Sequence, residues 1–362
     1  MTTRIVICCG SGGVGKTTTS AALAIRFARE GARVAVLTID PARRLADALS
    51  VGEIGNTAFR VPLDDAPGEL YAMMLDSKRT FDEIIDRFSP TPEARDRILS
   101  NHYYRFVSTR LAGSHEYMAM EKLHEISSSG AYDVVVLDTP PSRHALDFLA
   151  APQRMANLME EGVMRWLVLP ASRSGWKMIE KGSEILAKVL RSMLGDRTIA
   201  DIAEFFSAFQ SHWEGFRERS LKVKAMLKAP ETRFMLVTTP ASGARAEALH
   251  FLDVLRSGGM PFGGFLINRC TPAPVESGPG KFPGVPAGED PAEWDAMVSA
   301  IRTAPSRRRR LVATQEAAIS ELRAHVPGRA PVWRIPDLEC EVHDIATLSR
   351  VATHLPALAE LV

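Results

Sequence analysis

Gly10-Ser11-Gly12-Gly13-Val14-Gly15-Lys16-Thr17-Thr18 decides how the rest of the chain reads. The run fits the pattern G-x-x-x-x-G-K-[ST], and its flanks are what a phosphate-binding loop requires. Ile5-Val6-Ile7-Cys8-Cys9 precedes it as an apolar strand, and a helical pattern opens at Lys16. A strand–loop–helix turn aims successive backbone N–H groups and a helix N-terminus at one point, a cradle for a polyphosphate. Glycines there admit positive φ and let backbone approach the phosphates. Lys16 is placed to reach the β- and γ-phosphates of a nucleoside triphosphate, and the Thr17 hydroxyl to ligate Mg²⁺. The expected nucleotide-binding residues are therefore Gly10, Ser11, Gly12, Gly13, Val14, Gly15, Lys16, Thr17 and Thr18. A chance glycine-rich turn is the reading they displace.

The 362 residues suffice for one large α/β domain or two smaller ones with a sizeable core. With 46% apolar and 24% charged residues, the composition is that of an ordinary soluble globular protein. A net charge of +1 supplies no overall field for an obligatory nucleic-acid or anionic-membrane partner, so no nucleic acid is expected. Cys8, Cys9, Cys270 and Cys340 form no C-x-x-C pair, which implies neither a disulfide framework nor a cysteine-built zinc site. Cys8 and Cys9 read as small apolar residues of a buried strand. The first apolar stretch is only a strand long, so no signal peptide is expected. No window approaches the roughly 18–20 apolar residues of a membrane span. A cytoplasmic location is the expectation.

Beyond the loop, a first helix is predicted from Lys16 to Glu30 with Gly31 as its stop. Strands follow at Arg33–Ile39, Leu70–Leu75, Val134–Leu137, Phe234–Thr238, Phe265–Ile267 and Val332–Ile335, with a helix from Ser77, another over Ser242–Arg256 and a last one over Ile345–Leu361. This alternation predicts a doubly wound, mostly parallel sheet of the α/β class. Ligands on such sheets bind beyond the carboxyl ends of the strands, where Gly10, Asp40, Asp138 and Asn268 fall. Residues 1–77, 129–150 and 231–362 are read as the nucleotide-binding domain, and 78–128 with 151–230 as an inserted helical subdomain. The second helical stretch carries Met155, Met159, Met164, Trp166, Met178 and Met193. Such residues suit an adaptable hydrophobic groove or an ordinary helical core. Residues 271–291, rich in Pro and Gly, read as a mobile loop. Arg307 to Arg310 read as the solvated face of a helix rather than a nucleic-acid patch, since no aromatic residues accompany them.

Asp138, closing four apolar strand residues, fits the carboxylate that holds the Mg²⁺ shell, usually through water. It opens Asp138-Thr139-Pro140-Pro141-Ser142-Arg143-His144, a Pro-stiffened loop placed to sense the γ-phosphate; the role of His144 stays open. Asp40 closes the second strand, expected to lie beside the loop-bearing strand, and begins Asp40-Pro41-Ala42-Arg43-Arg44-Leu45-Ala46-Asp47. An acid there can orient the attacking water. The alternative is a helix N-cap ahead of Pro41, and the two roles are compatible. Lys16, Asp40 and Asp138 are the expected catalytic residues, with Thr17 and Asp138 toward magnesium.

The glycine loop, Thr38-Ile39-Asp40-Pro41-Ala42 and Asp138 to His144 together resemble the three signatures of the ArsA/GET-type anion-transporting ATPases. These are deviant-Walker P-loop NTPases related to septum-site and plasmid-partition ATPases. The similarity continues through Leu70 to Met73, Met118 to Leu123, Ile267-Asn268 and Ile335-Pro336, and so spans essentially the whole chain. The resemblance implies Mg²⁺ and ATP as ligands and hydrolysis of the γ-phosphate. It further implies Asp40 in switch I, Asp138 at the start of switch II, Asn268 on the adenine, and the stretch at Pro336 beside the base. It also implies a dimer closing across the nucleotide, with the helical parts forming a hydrophobic groove or effector site. Hydrophobic client segments or a membrane-protein partner are then the implied cargo, as in a targeting chaperone.

Three departures narrow that expectation. The family's signature lysine, which reaches the partner's phosphates, is here Ser11. A cation supplied in trans is worth about 10³–10⁵ in rate, so a homodimer is expected to turn over slowly unless another cation substitutes. A heterodimer with a paralogue that keeps the lysine is the preferred expectation, and a low-turnover regulatory subunit of such a pair is the alternative. The C-x-x-C zinc clip of the eukaryotic targeting ATPases is missing, Cys270 standing alone in that region, so no zinc is expected. Residues 78–230 hold no cysteine, and a soft metalloid needs thiolates, which argues against arsenite as effector.

Overall fold

The computed structural model describes residues 2–40, 42–64, 66–101, 104, 108, 114–140, 149–151, 213–274, 284–286, 289–326, 331–338 and 340–361. Pro141 to His144, the methionine-rich stretch over 152–212 and the loop residues 275–283 therefore lie outside the described residues.

Runs of Val, Ile, Leu and Ala without alternation are what a strand covered on both faces requires, and they build the centre of one eight-stranded sheet. Its strands are β1 (Arg4–Cys9), β2 (Arg33–Thr38), β3 (Phe59–Val61), β4 (Glu69–Met74), β5 (Val134–Asp138), β6 (Thr232–Thr238), β7 (Phe262–Cys270) and β8 (Val332–Pro336). The spatial order is β3-β4-β2-β5-β1-β6-β7-β8, with β3 alone antiparallel. This is the doubly wound α/β architecture expected. One neighbour relation differs: β2 does not lie beside β1, because β5 occupies the slot between them. The crossover from β1 to β2 skips one position, and a strand from a hundred residues further on fills it. Asp138 thereby lies level with Cys8 on one side and Thr38 on the other.

Successive residues point to opposite faces, so β1 feeds two cores at once. Val6 and Cys8 join α1 (Lys16–Arg29) and α9 (Ile345–Ala352) on one face. Ile5, Ile7 and Cys9 join α5 (Ser114–Ser128), α6 (Trp213–Lys228), α7 (Ser242–Gly258) and the end of α8 (Pro291–Ala324) on the other. Both thiols are fully buried, which pushes the Cys9 thiol up to about 12. A third cluster joins α3 (Ser77–Phe88) and α4 (Pro92–Ser100) to Tyr117 and Met118 of α5 and Phe216 of α6. The helices α5 and α6 thus serve both the sheet and this outlying helical cluster.

The final helix is shorter than its pattern predicts. It begins with a capping box, Asp344 accepting from the Thr347 N–H, and stops at Ala352; a 3₁₀ turn over Leu358–Leu361 follows. Pro356, lacking an N–H, separates the two. Arg307 to Arg310 lie on α8, three of them exposed and Arg308 half-buried with its Nε donating to the Pro272 carbonyl. Among the described residues, no helix is long and apolar enough to cross a membrane.

Candidate functional site

The site lies at the carboxyl edge of the sheet. β1 delivers the chain at Gly10, packed so closely on β6 that a Cβ there would stand 2.1 Å from the Val237 carbonyl oxygen. Gly15 caps α1 at φ +91°, in the left-handed region, and a Cβ on it would meet Asn268 Nδ2 at 2.3 Å. Neither position admits a side chain. Asn268, at the end of β7, braces the loop: its Nδ2 donates to the Val14 carbonyl (2.8 Å), and its Oδ1 accepts from the Arg269 N–H (2.9 Å).

Within the loop, Lys16 is buried and its Nζ donates to the Ser11 carbonyl at 2.8 Å. Burial lowers its pKa, and the nearby carboxylates Asp138 and Asp40 partly counter that. The Thr17 hydroxyl donates to Asp138 Oδ2 at 2.7 Å, and the Thr38 hydroxyl donates to the same oxygen at 3.1 Å. Asp138 is 1% exposed, and its other oxygen, Oδ1, is buried with no hydrogen-bond partner. Burial therefore pushes the Asp138 carboxyl up to about 6, against the pull of Thr17, Lys16 and Thr38. Beside it the Thr139 hydroxyl donates to the Cys8 carbonyl at 2.8 Å, tying the end of β5 to β1.

Asp40 completes the arrangement from β2. Its Oδ1 accepts from the Ala42 N–H at 3.0 Å, a local Asx-type turn, and its Oδ2 accepts from Arg44 Nη1 at 3.2 Å. The N-cap of α2 (Arg44–Ala48) is Arg43, so Asp40 is not the cap of that helix. Lys16, Thr17, Asp40, Arg44, Asp47 and Thr139 share a cleft of about 460 Å³. A second cleft of about 420 Å³ adjoins it, bounded by Asn268, Pro336, Leu338, Glu341 and Val342. Gly15, Thr18, Arg269, Val342 and His343 border both, so the two form one groove; after the roles expected from the sequence, its halves are named the phosphate lobe and the base lobe.

The groove's chemistry favours a phosphorylated ligand with a hard cation. An unpaired buried carboxylate oxygen is costly, and a divalent ion that takes oxygen donors relieves it. Thr17 and Asp138 are such donors, and they fit Mg²⁺. Among the described residues, no group of three His, Cys, Asp or Glu side chains converges. The rest of an Mg²⁺ shell would come from water and phosphate oxygens.

Gly12, Gly13, Gly15, Lys16, Thr17, Thr18 and Asp40 line the phosphate lobe. Asp138 is buried behind it and reaches it through Thr17, whereas Gly10, Ser11 and Val14 do not border it. Asn268 and Pro336 border the base lobe. Sequence reasoning missed four neighbours: Thr38, Arg44, Arg269 and His343. Arg44 was visible as the residue four places after Asp40, the spacing of a helical ion pair. Thr38 acts only because β2 neighbours β5, which no local pattern reveals.

A parallel sheet with a glycine loop between β1 and α1, and with an aspartate at the tip of the neighbouring strand, defines a P-loop nucleotide-binding fold. A family model described as anion-transporting ATPase matches residues 3–282, and the chain belongs to that family. It is similar to ATPase GET3 of Malassezia globosa, 34% identical over 147 residues that cover 41% of this chain and 42% of that protein. The ATPase ASNA1 homolog of Cryptosporidium parvum is 32% identical over 190 residues, covering 52% of this chain and 48% of that one. ATPase ARSA1 of Chlamydomonas reinhardtii is 26% identical over 284 residues, covering 73% and 34%. The chain spans less than half the length of each of these three relatives.

Proposed function

We propose that this chain is a Mg²⁺-ATP-binding and ATP-hydrolysing switch that works as a dimer and couples nucleotide state to its helical face. The observation that carries the reading is that Lys16, Thr17 and Asp40 line one cleft while Asp138, buried behind it, accepts from the Thr17 hydroxyl, so that three strand ends meet at one point. Loop N–H groups cradle the phosphates. Lys16 exchanges the Ser11 carbonyl for the β- and γ-phosphate oxygens, whose charge restores the proton affinity that burial lowers. Thr17 and Asp138 are the residues that would hold Mg²⁺, which when bound would neutralise charge at the phosphates. Asp40 accepts a hydrogen bond from the attacking water and orients it. Asn268 and Pro336 border the adenine. The helical cluster of α3, α4, α5 and α6 shares α5 and α6 with the sheet, and so is the part positioned to respond.

Ser11 favours a second reading, a low-turnover subunit completed by a partner. It offers no charge to a neighbouring subunit. Turnover measured against protein concentration, with and without a co-expressed lysine-bearing paralogue, separates the two. The expected outcome is slow turnover alone and an increase of about a thousandfold or more on mixing, the lower end of the range for a cation supplied in trans. Full turnover by a nucleotide-dependent homodimer would contradict the heterodimer.

A further inference from the structure

Two cations border the phosphate lobe that the loop motif does not account for, Arg44 and Arg269. Arg269 also borders the base lobe and so lies along the groove. Arg44 borders the phosphate lobe only, beside Asp40. Its guanidinium is near enough to Lys16 for the two charges to repel, which helps lower the Lys16 pKa. The only partner the Arg44 side chain holds in the described structure is Asp40 Oδ2, at 3.2 Å, and the side chain is 67% exposed. An exposed pair of this kind contributes little stability and exchanges easily.

Resting on the reading of this groove as a nucleoside triphosphate site, we propose that Arg44 is the residue that recognises the γ-phosphate. Without nucleotide its guanidinium is parked on Asp40. A terminal phosphate, with more charge and three oxygens in reach, draws it away and leaves Asp40 Oδ2 free to hold water. The same anion screens the repulsion between Arg44 and Lys16, so both cations gain from its arrival. A diphosphate leaves Arg44 on Asp40, and recognition of the third phosphate is thereby linked to readiness for its removal. Arg43, next along the chain, pairs with Glu53 instead and takes no part.

The test is equilibrium binding of β,γ-imido-ATP and of ADP, both with Mg²⁺, by the wild type, Arg44→Gln, Arg44→Lys and Arg43→Gln. Arg44→Gln is expected to weaken the triphosphate analogue about tenfold or more, the value of a charge-assisted hydrogen bond, and ADP less than about twofold. Retained ADP affinity shows that the variant's site is folded. Arg44→Lys is expected to recover part of the loss, and Arg43→Gln to match the wild type. An unchanged ratio of the two affinities in Arg44→Gln, or equal weakening of both nucleotides, overturns the assignment. A wild type that binds neither nucleotide overturns the groove reading itself and this assignment with it.

Discussion

Asp138 places a carboxyl group where water does not reach, with one oxygen serving Thr17 and Thr38 and the other unpaired. Its proton affinity consequently rises from 3.8 to about 6 in the folded chain. Between those values the folded state binds a proton that the unfolded state has released, so stability falls as pH rises through the window. Above about pH 6 the full cost of the buried charge is present, on the order of 3 kcal/mol from about two pH units. Asp138→Asn is expected to lose this slope. Urea unfolding of the nucleotide-free protein between pH 4 and 7 should show the wild type weakening relative to the variant as pH rises. Parallel curves would contradict the burial argument. Under the proposed function, a divalent cation at the phosphates offsets this cost. Lys16, Thr17 and Asp138 were all legible in the sequence, since each closes or opens an element within a run that permits few alternatives. Arg269 was not: its backbone adopts φ +56° at a bulge of β7, and nothing local to an arginine announces that.

Elements were easier to read than their arrangement. The central strands show as unbroken apolar runs, but a run does not say which neighbour it will have, and β5 between β1 and β2 is a tertiary outcome. Strand β3, only three residues long, is too short to carry a period. The long helix α8 shows a further division. Three of its four buried apolar residues, Ala318, Ile319 and Leu322, crowd its last two turns, with Val298 alone near the start, whereas Met297, Ile301 and Leu311 are exposed. Leu322→Ala, at a fully buried position, is expected to cost about 2–5 kcal/mol. Met297→Ala is expected to stay within about 0.5 kcal/mol. Denaturant unfolding of the two variants checks the contrast, and equal costs would mean that the first half of α8 is anchored as firmly as its end.

Across the whole molecule, the parallel sheet brings residues far apart in sequence to one edge. Asp40 lies 98 positions before Asp138, yet both act on the Lys16 side chain. The family match over residues 3–282 accords with this edge, since the glycine loop, Asp40, Asp138 and Asn268 all fall inside it. Pro336 and the rest of the base lobe after β8 fall beyond that span. Nucleotide binding by this groove is what all further roles depend on. Calorimetric titration of Mg²⁺-β,γ-imido-ATP into the wild type and Lys16→Ala tests it most directly. Saturable binding by the wild type, weakened about tenfold to a hundredfold or lost in Lys16→Ala, is the expected result. Equal affinity in both proteins, or none in the wild type, would contradict it.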